Sequence, residues 1–185
     1  AIKQAEEYQA TNAELAGVMG KTRDETKALQ RESQRLGATT AFTANEVARL
    51  QIEYARLGFS EHVIMGVTAS TIDLSIAAKA SAEDTAAFIG GAINQFGLMR
   101  KEGADAQVEA ARIADIAAKA YATSGLDFEK LATGYTKAGP AARAFGDSVE
   151  STTAKLGVLA DAQIEARVAG TGLKNIYIEL RKQGK

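Results

Sequence analysis

Helix starts are written into this sequence repeatedly, and they constrain its fold more than any other feature. In LGATTAFTANEVARL, residues 36–50, Thr43 is followed by Glu46 at the spacing of a capping box. In such a box the hydroxyl and the carboxylate each satisfy a backbone amide that a new helix leaves without a partner. Phe42 and Val47 flank the box at the spacing of a hydrophobic staple, and Gly37 can end the preceding helix in the left-handed region. The same grammar returns along the chain. Gly58 precedes Ser60 as N-cap, with Phe59 spaced to staple on Ile64; Ser81 pairs with Asp84; Gly97 ends the helix that Ser81 opens. Gly125 is read as a helix terminator before the N-cap Asp127, with Leu126 spaced to staple on Leu131, and Gly146 precedes Ser148. The only proline, Pro140, lacks the amide a helix interior needs but suits a first turn, which predicts a break at Gly139 and a short helix to Phe145. Between the joints, strings rich in alanine, leucine and glutamate favour helix. The class is all-α: an array of short and medium helices behind a long N-terminal helix, with no sheet.

Residues 1–36 read as that long helix. Leu15, Leu29 and Leu36 fall at heptad spacing, but Thr22 occupies the position between them, so the stripe is thin and suits a solvated or loosely coiled helix. Residues 37–185 read as a second, packed helical module. Val47, Leu50, Tyr54 and Leu57 give one buried face; Ile113, Ile116, Ala117, Ala120 and Tyr121 give another. Phe128, Leu131, Tyr135 and Ala138 give a third, Leu156 and Leu159 point inward from a helix starting at Val149, and Leu173, Ile176, Tyr177 and Leu180 line the last, from about Thr171. A helix from Ser60 to about Ala80 is interrupted near Gly66. The joints are irregularly spaced and show no repeat period.

The residue inventory limits chemistry. Cysteine is absent and His62 is the only histidine, which leaves nothing from which to build the usual transition-metal site. His62 falls in the first turns of a helix, where a polar residue needs no special role. The carboxylates fall in first turns or on polar faces, where the helix dipole accounts for them, and no nucleophile context occurs. No enzyme activity and no cofactor or metal are expected. AGTGL, with Gly170 and Gly172, lacks the third glycine, the preceding strand and the lysine of a nucleotide loop, and reads as a helix joint. With 22 basic and 23 acidic residues in no blocks, sequence-specific nucleic-acid binding is not expected. The first residues, AIKQAEEYQATNAEL, read as a helix already under way, as in a piece of a longer chain.

AAFIGGAINQFGLM, residues 86–99, stands out as uncharged and glycine-rich. Gly90 and Gly91 in a buried helix would let a neighbour approach closely. Phe88, Ile89, Gly90, Gly91 and Phe96 could instead form a membrane-active segment once released from the fold, although the run is too short for a stable span.

Taken in order, LAGVMGKTRDETKALQRESQRLGATTAFTANEVA, YARLGFS, AGPAARAFGDSVESTTAKLGVLADA and AGTGLKNI resemble the core region of phage tail tape measure proteins, from about residue 15 to 180. The resemblance implies a structural role: a protein of the virion, inside the tail tube or at its tip after assembly in the host cytoplasm, that sets tail length and leaves ahead of the DNA. It carries over no active site; the thin stripe at Leu15, Leu29 and Leu36 predicts self-association or binding to other tail proteins such as tube, tip or assembly chaperones, and the 86–99 segment leaves transient membrane contact open. One departure concerns Gln163, Ile164, Glu165, Ala166 and Arg167, which stand where the family tends to place glycines; this predicts that the helix from Val149 runs on to about Val168. Two other function classes stay open: a membrane-active or channel-forming module centred on 86–99, and a helical adaptor unrelated to phages.

Overall fold

The joints divide the chain as capping chemistry requires. The computed structural model describes residues 2–100 and 105–184. Among them are nine α-helices and no strand: α1 Ile2–Val18, α2 Lys27–Thr39, α3 Ala44–Arg56, α4 Glu61–Ala78, α5 Ala82–Phe96, α6 Ala106–Thr123, α7 Phe128–Phe145, α8 Val149–Asp161 and α9 Ala166–Lys182. A single 3-10 turn covers Leu98–Arg100. The chain forms two units, Ala1–Gly90 and Gly91–Lys185, so that the division falls inside α5.

In the first unit α3 is the central helix, with α1, α2 and α4 against it. Its start is the full capping box: Thr43 accepts from the Glu46 amide, and Glu46 accepts from the Thr43 amide at 2.7 Å. Val47, Leu50 and Tyr54 are fully buried, together with Leu15, Leu29 and Ile64. α1 is held partly by polar contacts. The Tyr8 hydroxyl donates to the Gln30 carbonyl, and Thr11 donates to Asn45 at 2.7 Å. In the second unit α9 lies along α7 while α8 contacts α6, α7 and α9. The core there is leaner: Ala110, Ala117, Ala138 and Ala142 are fully buried beside Ile113 and Leu131. Each unit buries a tyrosine of its central helix. Tyr54 meets the Thr71 hydroxyl at 2.6 Å and Tyr135 meets Thr153 at 2.5 Å. Burial pushes both phenols above their ordinary pKa, and a buried hydroxyl stripped of its partner would cost about 1–3 kcal/mol.

The two units repeat one plan. At the α2/α3 joint Thr40 is extended, its amide and hydroxyl both donate to the Leu36 carbonyl, and its hydroxyl accepts from the Phe42 amide. At the α6/α7 joint Ser124 makes the same three bonds, to the Ala120 carbonyl and from the Leu126 amide. The N-caps follow in step, Thr43 and Asp127, 84 positions apart (127 − 43). The α4/α5 and α8/α9 joints keep that spacing: Lys79 and Gln163 are the two non-glycine residues with positive φ among the described residues, and Ser81 and Glu165 supply the next caps. Only the middle joint moves. Gly58 and Gly146, left-handed at φ 84° and 92°, are 88 positions apart (146 − 58), one helical turn out of step. That displaced joint hides the period from spacing alone.

Several expectations are corrected. The stretch 1–36 is two helices, not one: α1 ends at Val18, Gly20 is left-handed, and Thr22 with Glu25 ties the connecting turn. Leu15, Leu29 and Leu36 are buried in two different helices, so they form no heptad seam. Gly37 does not end its helix, which runs to Thr39; a Cβ there would meet the Ala44 amide at 2.4 Å, so its smallness serves the close turn. Gly125 does not terminate α6 either; extended Ser124 does, and the Gly125 amide donates to Asp161. Gly139 and Pro140 make no break. α7 passes through both, because glycine before proline carries no Cβ to clash with the ring and neighbouring Ala138 and Ala142 are packed on both sides of the missing bond. α4 is continuous through Gly66, and Gly170 and Gly172 lie inside α9 rather than at a joint. α8 stops at Asp161 because Gln163 turns left-handed and Glu165 caps α9 through the Arg167 and Val168 amides. Leu57 and Ile176 are exposed, not buried.

Thr43→Ala should lower stability by about 0.5–2 kcal/mol, with Glu46→Ala costing less. Because each residue satisfies the other's amide, the double variant should cost less than the two together. Denaturant unfolding of the four species tests this, and additive losses would remove the box from the account.

Candidate functional site

The second unit carries a close helix crossing, a charged clasp and two open apolar grooves. The crossing is where α9 meets α7. A Cβ on Gly170 would stand 2.8 Å from the Lys137 Cβ and 3.3 Å from the backbone of Gly134. Gly134 is itself filled over by Leu156, whose Cδ1 would be 2.6 Å from an added Cβ. Two glycines thus bring two helices nearer than side chains allow, and the sequence hint was the glycine pair in AGTGL, mistaken for a turn.

The clasp joins the α7/α8 turn to α9. Asp147 follows left-handed Gly146, which aims its carboxylate across α8. It accepts from the Lys155 ammonium at 2.6 Å, from Thr152 and from the Tyr177 hydroxyl. The Tyr177 ring also lies 5.5 Å from Phe145 and takes the Lys155 ammonium over its face. Burial opposes ionisation of Asp147, but the donors from Lys155 and Tyr177 outweigh it and hold its carboxyl below the usual 3.8. Spacing could not reveal this cluster, because Asp147 and Tyr177 meet only after α8 folds back. A second ion group, Arg112 with Glu109 and Glu150, ties α6 to α8 at a more exposed place where such pairs contribute little.

One groove, of about 500 Å³, runs between α6 and α8 past Ile116, Ala120, Ala154, Gly157 and Val158. The other, of about 420 Å³, lies between α8 and α9 and is lined by Val158, Ile164, Val168, Gly172 and Ile176. Neither brings together a base, a nucleophile and an oxyanion donor. Among the described residues no group of three or more His, Asp or Glu side chains is placed to hold a metal ion. His62 is exposed near the start of α4.

Of the singled-out positions, Thr43 with Glu46, Asp127 and Ser148 each cap a helix through a side chain, and Ser81 accepts from the Asp84 amide. Ser60 holds the N-cap position of α4 but makes no side-chain cap bond. Phe59 stacks on Tyr54 with ring centres 5.5 Å apart. In the 86–99 stretch, Phe88, Ile89 and Phe96 are buried. Gly90 is buried with them, against Leu57 and Tyr54, while Gly91 is half-buried. Among the described residues no single helix is long and apolar enough to cross a membrane; α4 and α5 together reach the length and composition but are bent by 115°.

The second unit is thus a module of capped helices held by a close crossing and a polar clasp, with apolar grooves open between α6, α8 and α9. Comparison with known proteins gives the family: residues 30–185 match the model of the phage-related minor tail proteins, and the chain belongs to that family. It is similar to the probable tape measure protein of Escherichia phage P2, 30% identical over 177 residues, covering 95% of this chain and 21% of that protein. It is also similar to the tape measure protein of Pneumococcus phage Dp-1, 28% identical over 184 residues, covering 100% of this chain and 15% of that one. The chain therefore spans about a fifth or less of the length of these relatives. No solved structure matches it.

The crossing and the clasp each have a test. Gly172 has open space where a Cβ would go, so Gly172→Ala should stabilise α9 by about 0.5–1 kcal/mol, as alanine does in a helix interior. Gly170→Ala, two residues away, should instead destabilise, since Lys137 or α7 must shift. Equal signs in thermal unfolding would refute the close crossing. A depressed carboxyl stabilises above its unfolded value and loses that contribution as pH falls through its folded value. The stability gap between the native chain and Asp147→Asn should accordingly be full at neutral pH and close below 3.8; a gap constant into strong acid would separate the clasp from the Asp147 charge.

Proposed function

We propose that this chain is a folded helical segment of a phage tail tape measure protein, with a structural role in building the tail. The observation that carries the reading is the match to two tape measure proteins along 95% and 100% of the chain, joined to a helical fold whose capped joints recur in both units. The finer expectations belong to the same reading. The segment acts without catalysis, resides in the virion tail after assembly in the host cytoplasm, binds copies of itself or other tail proteins such as tube, tip or assembly chaperones, and leaves ahead of the DNA. The residues of 86–99 serve as core while the fold persists, consistent with the burial of Phe88, Ile89 and Phe96.

A tape measure sets length by the extent of its chain, and a continuous helix extends by about 1.5 Å per residue. This segment cannot contribute in that way while Gly58, Gly97 and Gly146 turn the chain back in left-handed conformations. It is a packed module carried by the ruler, and the length-setting helix lies elsewhere in the parent protein. Removing residues 43–126 joins the α2 exit to the equivalent cap at Asp127 and deletes one period. If the segment were drawn out as helix, tails would shorten by roughly 126 Å at about 1.5 Å per residue. The expected result, read by electron microscopy of purified tails, is unchanged length in whatever tails assemble, with a lower yield. Tails shorter by that full amount would overturn the folded-module reading.

A further inference from the structure

Gly90 and Gly91 stand side by side in the interior of α5, and packing accounts for only one of them. A Cβ on Gly90 would lie 2.3 Å from the Leu57 Cδ1 and 3.4 Å from the Tyr54 ring, so α5 comes this close to the end of α3 only through a glycine. A Cβ on Gly91 would meet nothing nearer than the Gln95 side-chain nitrogen at 3.7 Å, an ordinary contact, and the φ of Gly91 is not positive. Neither a close approach nor a left-handed backbone asks for glycine at 91. Glycine in a helix interior nevertheless gives up backbone entropy that alanine would not.

The position of the pair supplies the reason. The division between the two units falls between these two residues. The first half of α5 belongs to the first unit, where Ala86, Phe88 and Ile89 are buried and Gly90 lies against Leu57 and Tyr54. The second half belongs to the second unit: Ala92 and Ile93 are buried, Phe96 meets the Tyr135 ring edge-on at 5.3 Å, and Gln95 and Phe96 lie against Gly139. One helix thus serves two cores and is intrinsically weakest where it passes from one to the other. The pair also suits the two new ends of a broken α5, since glycine closes a helix in the left-handed region and is tolerated as an N-cap. We propose that α5 parts at Gly90–Gly91, so that either unit opens while the other keeps its helices. The breakpoint is a property of the chain alone. The tail reading gives it a use, since a module that leaves end-on, as proposed above, then gives way one unit at a time.

Hydrogen exchange of the whole chain, read segment by segment in a mass spectrometer, tests the breakpoint. Thr43→Ala weakens the first unit at the start of α3 and should speed exchange of the α3 amides by about threefold or more, while leaving those of α7 within about twofold. Gly170→Ala, which crowds Lys137 at the α7/α9 crossing, should do the reverse. Gly91→Ala has room for its methyl group and should couple the two units: in that background the effect of Thr43→Ala on α7 should rise by roughly two- to fivefold. If Thr43→Ala unfolds the first unit outright, continued protection of α7 supports the breakpoint, and loss of α7 together with α3 overturns it. Equal acceleration of α3 and α7 in the chain that keeps Gly91 would likewise make the units one cooperative body and sink the proposal. Slower exchange in α5 alone on Gly91→Ala, with no more of the Thr43→Ala effect reaching α7, would be plain helix stabilisation and would sink it too.

Discussion

Every helix begins with amides that its own carbonyls cannot reach, and the rest of this structure depends on how those amides are satisfied. Thr43, Asp127, Ser148 and Glu165 each take one or two of them through a side-chain oxygen, and Thr40 and Ser124 finish the helices before by doubling back on the last turn. Once starts and stops are fixed to the residue, the core can be modest. Much of the second unit is packed with alanine and glycine, which contribute little apolar area per residue but let axes come close. The joints determine which helices face each other, and the small residues make that meeting tight.

The same logic explains how polar groups come to be buried here. Tyr54, Tyr135, Thr71 and Thr153 are matched hydroxyl to hydroxyl between neighbouring helices. Asp147 is matched to a cation and a phenol. Each such pair specifies one register between two helices, a property that a thin apolar core supplies poorly. These are positioning devices.

Capping boxes and staples are local, so the starts at Thr43, Ser81, Asp127 and Ser148 were legible in the sequence, and the all-helical class followed from them. What failed was any inference about a residue whose role is set by a distant neighbour. Gly37 and Gly125 look like terminators but end no helix; one makes room for Ala44 and the other donates to Asp161. Pro140 looks like a breaker, yet the packing of Ala138 and Ala142 carries the helix past it. Ile176 has the spacing of a core residue and is outside, because periodicity cannot say which of two apolar faces a single helix will cover. The clasp at Asp147 was invisible for the same reason, its partners being eight and thirty residues away.

The displaced middle joint has one more implication. In the first unit the arms of the central hairpin are 13 and 18 residues long, and in the second they are 18 and 13. The turn has slid along the strand of chain as a rope slides over a pulley, lengthening one side by what it takes from the other. The outer anchors, at Thr43 and Ser81 or at Asp127 and Glu165, have not moved relative to each other. What the fold conserves is therefore the path between anchors and not the place of the bend, so paired insertions and deletions that cancel across the hairpin leave the next helix where it was.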